Sequence, residues 1–505
     1  MKYLMGVDEG TTGCKAILFD EDGRQIAATG REYPSYYPHP GWVEQDIDEI
    51  KAAVFECMRE TIVKSKVDPK DIVGVSHSNQ GVTIVLLDEN EKPVFDHTIG
   101  WQDLRYIDML PELRAEVDLE EYRQISGMQY GTYNTPVLRW LQKYEPEKWA
   151  KVRRICSHQD YFLRQFGADG YYVDEGCANF LSMARMTDNE WDERLVKYFG
   201  ITIDMLPKVV HTPGTVVGHV TEEVSRQTGL PVGCTVALGN LDANCCAFGA
   251  GASEPGTQVM IMGTAGVSIF VTDNGTLDPK GRITLRSNPG FGNYQDYIMT
   301  NTGASAFRWF RDALGSMEVA TSRLMGVDPY DIITQTASHS GPGANGVTAL
   351  TCIQGSHTRV KNEKARGGFF GISLGTTKAD LAEAILEGIC FEMKDIMKMN
   401  QELSGEVKHV RLCGGVAKSP MWCQMFADVL NRPIELTEVA EIGALGAAMC
   451  AGIGAGLYKD CFDAVDKCVK ITKTYKPDAG KVPDYEKAFE VWERCYRVSN
   501  EEIYT

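Results

Sequence analysis

The sequence contains no run of about 20 consecutive apolar residues, so it predicts no transmembrane helix. Its 15 cysteines include no Cys-x-x-Cys pair, which argues against a zinc site and a thioredoxin-type motif. Basic residues are too few for nucleic acid or an anionic membrane surface to be the main partner, since 51 Lys and Arg face 69 Asp and Glu. An acidic residue at position 8 comes too early for a signal peptide. We therefore expect a cytoplasmic protein with reduced, buried cysteines.

What the sequence does contain is a strand, a tight polar turn and a second strand within Met5–Asp20. The turn is Gly10-Thr11-Thr12-Gly13, and an aspartate, Asp8, ends the entering strand. Successive backbone N–H groups in such a turn form an anion-binding concavity, and glycine lets a ligand approach the backbone. By itself, however, Gly-Thr-Thr-Gly is also an ordinary hairpin turn.

A second copy of this pattern lies 253 residues later, where Gly263–Asp273 matches Gly10–Asp20 in register. Both copies follow an apolar run and both end in aspartate. A duplicated unit of this kind predicts two related domains that face each other across a cleft. Two unrelated glycine turns remain the alternative, but they would not explain the shared register.

The remaining pattern divides the chain into two halves with a glycine-rich boundary before the second copy. We predict an N-terminal domain over 1–250 and a C-terminal domain over 251–505. Each half begins with an antiparallel hairpin and continues with crossover helices. This α/β pattern fits two actin-like (ribonuclease H-like) ATPase domains that flank a central cleft.

A short apolar strand at 235–238 leads directly into Gly239-Asn240-Leu241-Asp242. An aspartate at the end of a strand is often only the N-cap of the helix that follows. In this position a carboxylate can also accept a proton from an attacking hydroxyl. Both interpretations of Asp242 remain open on the residues alone.

The segment Gly367–Ile372, followed after seven residues by Asp380–Glu387, resembles the C-terminal signature of the FGGY family of carbohydrate kinases. The resemblance extends from about Tyr3 to Gly456. It implies ATP-dependent phosphorylation of a hydroxyl on a small sugar or polyol, with Mg²⁺ as the expected metal ion.

The resemblance also implies roles for individual residues. Asp242 corresponds to the general base of the family and Asp8 to its magnesium-associated aspartate. The residues expected to bind ATP are Thr11, Thr12, Gly263, Thr264, Gly303, Gly414, Gly415 and Ser419. Those expected to bind the sugar are Gln80, Gly81, Trp101, Asp103 and Asp242.

The substrate is predicted from the loop after the strand at 72–76. Glycerol kinases carry arginine and glutamate where this chain has Gly81 and Val82, which argues against glycerol. The Gln80-Gly81 pair is similar to kinases of L-xylulose and of erythritol. We therefore expect a small ketose, a pentulose such as xylulose, with a polyol of the erythritol or glycerol type as the alternative. A homodimer is left open.

Two rival functions share the predicted scaffold. One is a non-catalytic nucleotide or sugar sensor, which the presence of Asp242 disfavours. The other is an exopolyphosphatase-like hydrolase, which would hydrolyse its substrate without a sugar. An assay of ADP release with and without a panel of sugars separates these possibilities.

Overall fold

The computed structural model describes residues 1–505. Its strands are β1 Tyr3–Glu9, β2 Gly13–Asp20, β3 Gln25–Glu32, β4 Glu44–Gln45, β5 Ile72–Asn79, β6 Ile84–Leu87, β7 Thr98–Ile99, β8 Arg154–Ser157, β9 Tyr172–Asp174, β10 Lys208–Val210, β11 Val216–His219, β12 Thr235–Ala237, β13 Asn240–Leu241, β14 Thr257–Met262, β15 Gly266–Thr272, β16 Thr284–Asn288, β17 Asn293–Thr300, β18 Thr348–Leu350, β19 Ser356–His357, β20 Lys361–Asn362, β21 Gly368–Phe370, β22 His409–Gly414, β23 Ile434–Thr437 and β24 Ile471–Tyr475.

The α-helices are α1 Ile47–Ser65, α2 Leu110–Ala115, α3 Leu119–Ser126, α4 Val137–Tyr144, α5 Pro146–Trp149, α6 His158–Phe166, α7 Glu175–Phe180, α8 Glu193–Tyr198, α9 Glu222–Thr228, α10 Asp242–Gly249, α11 Ser305–Leu314, α12 Ser316–Met325, α13 Pro329–Ala337, α14 Lys378–Ser404, α15 Pro420–Leu430, α16 Ile442–Gly454, α17 Cys461–Cys468 and α18 Val482–Val498. None of them combines the length and the apolar character that crossing a membrane requires. All 15 cysteines are free thiols.

The chain forms two compact units. The first unit contains Met1–Ser253, Leu285–Tyr294 and Glu441–Val469. The second contains Glu254–Thr284, Gln295–Ala440 and Lys470–Thr505. The division predicted from the sequence, at 250/251, assigned everything after it to the second domain. The segments Leu285–Tyr294 and Glu441–Val469 follow that division in sequence but pack in the first unit. Local sequence pattern could not predict this, because it does not show which residues a segment packs against.

In the first unit the central sheet has the order β11-β12-β5-β1-β2-β3, and β13 also pairs with β5. Strands β1, β2 and β3 are antiparallel neighbours, whereas β12 and β13 run parallel to β5, as β1 does. Helix α1 packs on one face and starts where Asp46 accepts the backbone N–H groups of Asp48 and Glu49.

Helix α16 packs against the first unit's sheet at very close range. A Cβ atom built on Gly6 of β1 would lie 2.0 Å from the carbonyl oxygen of Ala444. One on Gly74 of β5 would lie 2.7 Å from the carbonyl oxygen of Ala451. Glycine in the strands and small residues along α16 therefore allow helix and sheet backbones to touch.

In the second unit, strands lie in the order β17-β15-β14-β22-β23-β24. Here β14 is antiparallel to β15 and parallel to β22, while β23 is parallel to β22 and antiparallel to β24. The first unit has the same pairings from β2 to β11: β2 is antiparallel to β1, β1 and β12 are parallel to β5, and β12 is antiparallel to β11. The shared topology confirms that the repeated glycine turn marks a duplicated α/β fold of the actin-like type.

Candidate active site

The predicted catalytic residue lies at one edge of the first sheet, where parallel strands end. Ser78 of β5 pairs in register with Asp8 on one side and with Asn240 of β13 on the other. Asp242 follows β13 immediately and opens α10. Ligands of open α/β sheets bind outside the carboxyl ends of such strands. The fold thus brings Asp8 and Asp242 to one edge, although 234 positions separate them in sequence.

The Asp242 carboxyl accepts a hydrogen bond from the backbone of its own helix, α10. Its Oδ1 accepts the backbone N–H of Ala243 at 2.6 Å. Burial raises its pKa to about 7, and the charges of Asp8 and Glu9 push in the same direction. The Ala243 hydrogen bond and the positive charge of Arg286 oppose this rise. A carboxyl with a pKa near neutrality is suited to accept a proton at physiological pH.

Asp8 is half-buried at the same edge of the sheet. Its Oδ1 accepts the Ser78 hydroxyl at 2.7 Å. Burial raises its pKa, the Ser78 hydrogen bond lowers it, and the neighbouring charge of Glu441 raises it. Lys15 partly offsets that charge, because its ammonium group pairs with Glu441 at 2.7 Å. Lys15 lies on β2, directly after the first glycine turn, and its ammonium group therefore forms an ion pair with a protein carboxylate.

The first glycine turn closes on itself, since the Gly10 N–H donates to the Gly13 carbonyl at 3.0 Å. Thr12 is exposed, whereas the Thr11 hydroxyl accepts the indole N–H of Trp101 at 2.9 Å. The Thr11 carbonyl accepts the side chain of Gln45 at 2.8 Å. The structure thereby joins a predicted phosphate ligand, Thr11, directly to a predicted sugar contact, Trp101.

Gln80 lies in a buried hydrogen-bond network. Its amide nitrogen donates to Glu9 at 2.7 Å and to Gln45 at 2.9 Å, and its oxygen accepts the Thr83 hydroxyl at 3.2 Å. One lone pair of the Gln80 oxygen is left over. His158 lies 3.1 Å from the other Glu9 oxygen. Sequence reasoning missed Glu9, because an acidic residue at the end of a strand carries no signal of its burial.

Asp103 is fully buried and faces Arg105. The guanidinium donates to both carboxylate oxygens, at 2.9 and 2.8 Å, and the Val43 N–H donates at 2.8 Å. The Arg105 N–H adds a fourth bond at 3.0 Å. These four bonds fill the acceptor capacity of the carboxylate. Asp103 therefore fixes the local backbone, and its sugar contact stays a prediction.

Gly81 lies against the Leu241 side chain, which would have to move to make room for a larger residue at this position. A Cβ atom there would come within 2.5 Å of Leu241 Cδ1, the residue before Asp242. The next residue, Val82, has a φ of +44°, which β-branched residues rarely adopt. The loop after β5 thus has a strained backbone that packs directly on the segment carrying the candidate base.

The predicted ATP ligands of the second unit meet at the ends of its strands. The Gly303 N–H donates to the Thr264 carbonyl at 2.9 Å, and Gly263 and Thr264 are both exposed. Gly414 pairs in register with Met262, directly before that turn. At a φ of +89°, Gly414 also approaches the Met262 carbonyl so closely that a Cβ would lie 2.5 Å from it.

Two other predicted ligands lie just beyond Gly414. A Cβ atom on Gly415 would meet no other atom within 4 Å, so the space beside this residue is open. The Ser419 hydroxyl accepts the Trp422 N–H at 3.4 Å as the cap of α15. Ser419 therefore has an established structural role, while its contact with ATP stays a prediction.

Arg286 is a buried charged residue with an electrostatic influence on Asp242, and the sequence did not indicate it. It lies on β16, is fully buried, and belongs to the first unit through the returning segment Leu285–Tyr294. Its guanidinium carbon lies 4.1 Å from the centre of the Phe180 ring. Because this segment follows the second glycine turn in sequence, local pattern gave no reason to place it beside Asp242.

Two family models cover most of the chain. The N-terminal domain of the FGGY family of carbohydrate kinases matches residues 3–249, and its C-terminal domain matches residues 259–455. Together with the duplicated actin-like fold and the strand-end carboxylates, these matches show that the chain belongs to the FGGY family of carbohydrate kinases. It is an ATP:sugar phosphotransferase with an alcohol group as acceptor.

Individual relatives carry different substrate names. Gluconokinase from Bacillus subtilis is 27% identical over 496 residues, covering 96% of this chain and 93% of that protein. Xylulose kinase from the same organism is 26% identical over 502 residues, covering 98% and 97%. The structure of ligand-bound xylulose kinase from Lactobacillus acidophilus superposes with a TM-score of 0.89 at 22% identity, covering 100% and 99%. The last likeness concerns the fold alone.

Proposed function

We propose that this kinase phosphorylates a hydroxyl of a small neutral ketose, a pentulose such as xylulose, with Asp242 as the general base. The observation that carries the proposal is the half-buried Asp242 carboxyl, whose pKa is raised to about 7 at the strand edge it shares with Asp8. The reaction needs a group that accepts the proton of the attacking hydroxyl while the phosphoryl group transfers.

The other residues bind and orient in this proposal. Gln80 and Gly81 form the wall against the sugar, and the remaining lone pair of the Gln80 oxygen accepts a sugar hydroxyl. Trp101 contributes its ring, while Asp103 keeps the neighbouring backbone in place through Arg105. Backbone N–H groups and threonine hydroxyls of the glycine turns are donors suited to phosphate oxygens, with Thr11, Thr12 and Thr264 as the ligands.

Further ATP contacts are assigned to the second unit. The exposed glycines Gly263, Gly414 and Gly415 leave room for a nucleotide to lie against backbone, and Gly303 supports the turn through its bond to Thr264. Ser419 is proposed to reach the nucleotide from the start of α15. Each of these roles follows from the family assignment and from the grouping of the residues at strand ends.

The donor set at Asp8 fits Mg²⁺. No group of three or more His, Cys, Asp or Glu side chains that could hold a metal ion is present. Mg²⁺ in kinases is bound by one or two carboxylates together with phosphate oxygens and water, so a dense cluster is not required. Asp8 offers one carboxylate whose pKa is raised by burial, and a cation would favour its charged form. When bound, Mg²⁺ neutralises charge on the phosphates.

The choice of a small ketose is supported by the loop after β5. The Leu241 side chain fills the space that a side chain at position 81 would need. The loop therefore presents backbone to the sugar where glycerol kinases present arginine and glutamate. A relative of similar length is named xylulose kinase, although another is named gluconokinase. The acceptor must for this reason be tested directly.

The deciding experiment is a coupled ADP-release assay over pentuloses, erythritol, glycerol and gluconate. We expect the highest kcat/KM with a pentulose and no turnover with Asp242→Asn, whose ATP binding should be unchanged. The matched control is Asp296→Asn, because Asp296 is also buried with a pKa raised to about 7 but lies on β17 of the second unit. A preference for gluconate would overturn the substrate, and near-normal turnover of Asp242→Asn would overturn the base.

A further inference from the structure

A buried guanidinium lies within the first unit, on strand β16. Arg286 is fully buried, and its guanidinium carbon lies 4.1 Å from the centre of the Phe180 ring. A guanidinium stays charged at any physiological pH, so its burial is costly unless anions or aromatic faces compensate. The fold therefore keeps a permanent positive charge at this position.

The Phe180 ring lies near both the Arg286 guanidinium and the loop after β5, to which sugar binding is assigned. A Cβ atom on Gly81 would lie 3.8 Å from Phe180 Cδ1 and 2.5 Å from Leu241 Cδ1. Phe180 also packs on Tyr133, with ring centres 4.5 Å apart. Phe180 thus stacks on Arg286 and lies near the backbone of Gly81, and Leu241, the residue before Asp242, lies near Gly81 as well.

Electrostatics gives a second, independent link. The charge of Arg286 lowers the pKa of Asp242, whereas Asp8 and Glu9 raise it. Such an influence on a half-buried carboxyl requires proximity, because charge effects weaken with distance. Phe180 and Asp242 therefore both lie near Arg286.

We propose that Arg286 is a further substrate-binding residue, whose guanidinium donates hydrogen bonds to oxygen atoms of the acceptor between Gly81 and Asp242. The inference rests on the proposed function, because it assumes that the acceptor lies against Gly81 and Asp242. A guanidinium only donates, so its partners are carbonyl or hydroxyl oxygens of the sugar, and its planar fork suits two neighbouring oxygens. The positive charge of Arg286 also favours the carboxylate form of Asp242, which accepts the proton.

The test compares Arg286→Lys and Arg286→Met with Arg282→Lys as the control. Arg282 lies four residues earlier in the second unit, where it pairs with Asp278 at 3.0 Å. We expect Arg286→Met to raise the acceptor KM about 10-fold to 100-fold, as for the loss of a charged hydrogen bond. Its nucleotide affinity, measured by calorimetry, should stay within about twofold of the wild type, since no lost contact involves ATP.

The pH profile separates binding from a purely structural role. Arg286→Met should move the acid limb of kcat/KM to higher pH, because Asp242 loses a favourable positive charge. Arg286→Lys should leave the acid limb of kcat/KM at its wild-type pH, because lysine keeps the positive charge. It should not restore the wild-type acceptor KM, because lysine lacks the planar guanidinium that binds two oxygens. An Arg286→Lys variant with the wild-type acceptor KM would overturn the proposal. This variant alone provides the test if Arg286→Met fails to fold.

The acceptor used is whichever member of the panel the wild type phosphorylates best. If that acceptor is not a pentulose, the substrate proposal fails while the Arg286 comparison proceeds unchanged. If the wild type turns over a pentulose but all Arg286 variants match it in KM and pH profile, the Arg286 inference alone fails.

Discussion

The side-chain amide of Gln80 donates to the buried carboxylate of Glu9 at 2.7 Å. This bond joins the loop after β5 to the last residue of β1, directly before the first glycine turn. The loop assigned to the sugar and the turn assigned to phosphate are therefore held in one network within the first unit. A substitution that displaces the loop should therefore also displace the glycine turn.

Replacing Gln80 by leucine tests this coupling. The change removes a donor from buried Glu9 and should cost about 1–3 kcal/mol of unfolding free energy. It should also raise the KM values for both the sugar and ATP. Chemical denaturation and steady-state kinetics measure the two effects. Gln227→Leu is the control, because Gln227 is exposed and bonds only to Glu223 across its own helix turn. An effect on the sugar KM alone would contradict the coupling.

The pH dependence of turnover should report on Asp242. Its pKa is raised to about 7 in the free protein, and only the carboxylate accepts a proton. We therefore expect kcat/KM to rise as pH increases through about 7 and then to level off. The profile of kcat/KM between pH 5 and 9 measures this. A flat profile over that range would contradict Asp242 as the base.

The same group should make folding stability depend on pH. Since the folded-state pKa lies above the ordinary value of 3.8, ionised Asp242 destabilises the fold increasingly from about pH 4 to pH 7. Asp242→Asn should therefore raise Tm more at pH 8 than at pH 5. Thermal unfolding at the two pH values tests this sign. Equal shifts at both values would mean that Asp242 carries no such electrostatic cost.

Gly6 should tolerate no side chain. A Cβ there would lie 2.0 Å from the backbone carbonyl of Ala444, and backbone cannot rotate away. We expect Gly6→Ala to cost more than about 3 kcal/mol or to abolish folding. Gly375→Ala is the control, because its Cβ would have only Ser373 Oγ nearby, at 3.8 Å. Soluble yield and denaturant midpoint give the measurement, and a native-like midpoint would refute the tight packing of α16.

Removal of divalent metal should abolish turnover, and added Mg²⁺ should restore it. Asp8→Asn should increase the Mg²⁺ concentration that gives half-maximal turnover, because an amide is a weaker ligand than a carboxylate. Asp22→Asn provides a control, since Asp22 is exposed and pairs with Arg24. Titration of Mg²⁺ at fixed ATP measures the shift. An unchanged half-saturation in Asp8→Asn would remove Asp8 from the metal site.

Local sequence pattern was sufficient to predict those elements that are stabilised by residues close in sequence. The hairpin around Gly10–Gly13 and its copy at Gly263–Gly266 follow from turn chemistry and from the spacing of apolar residues. The family assignment depended on such segments as well, because the signature at Gly367–Ile372 is contiguous.

Tertiary structure decided the rest, because burial and partners depend on residues far apart in the chain. Helix α16 belongs to the first unit only because its small residues fit the glycines of β1 and β5. The saturation of Asp103 by Arg105 and the enclosure of Gln80 by Glu9 and Gln45 could not be read from spacing. Arg286 belongs to the first unit only because the segment Leu285–Tyr294 packs there after the chain has entered the second unit. The sequence by itself determined the kinase class and indicated the candidate base, whereas packing decided which charged groups surround that carboxyl.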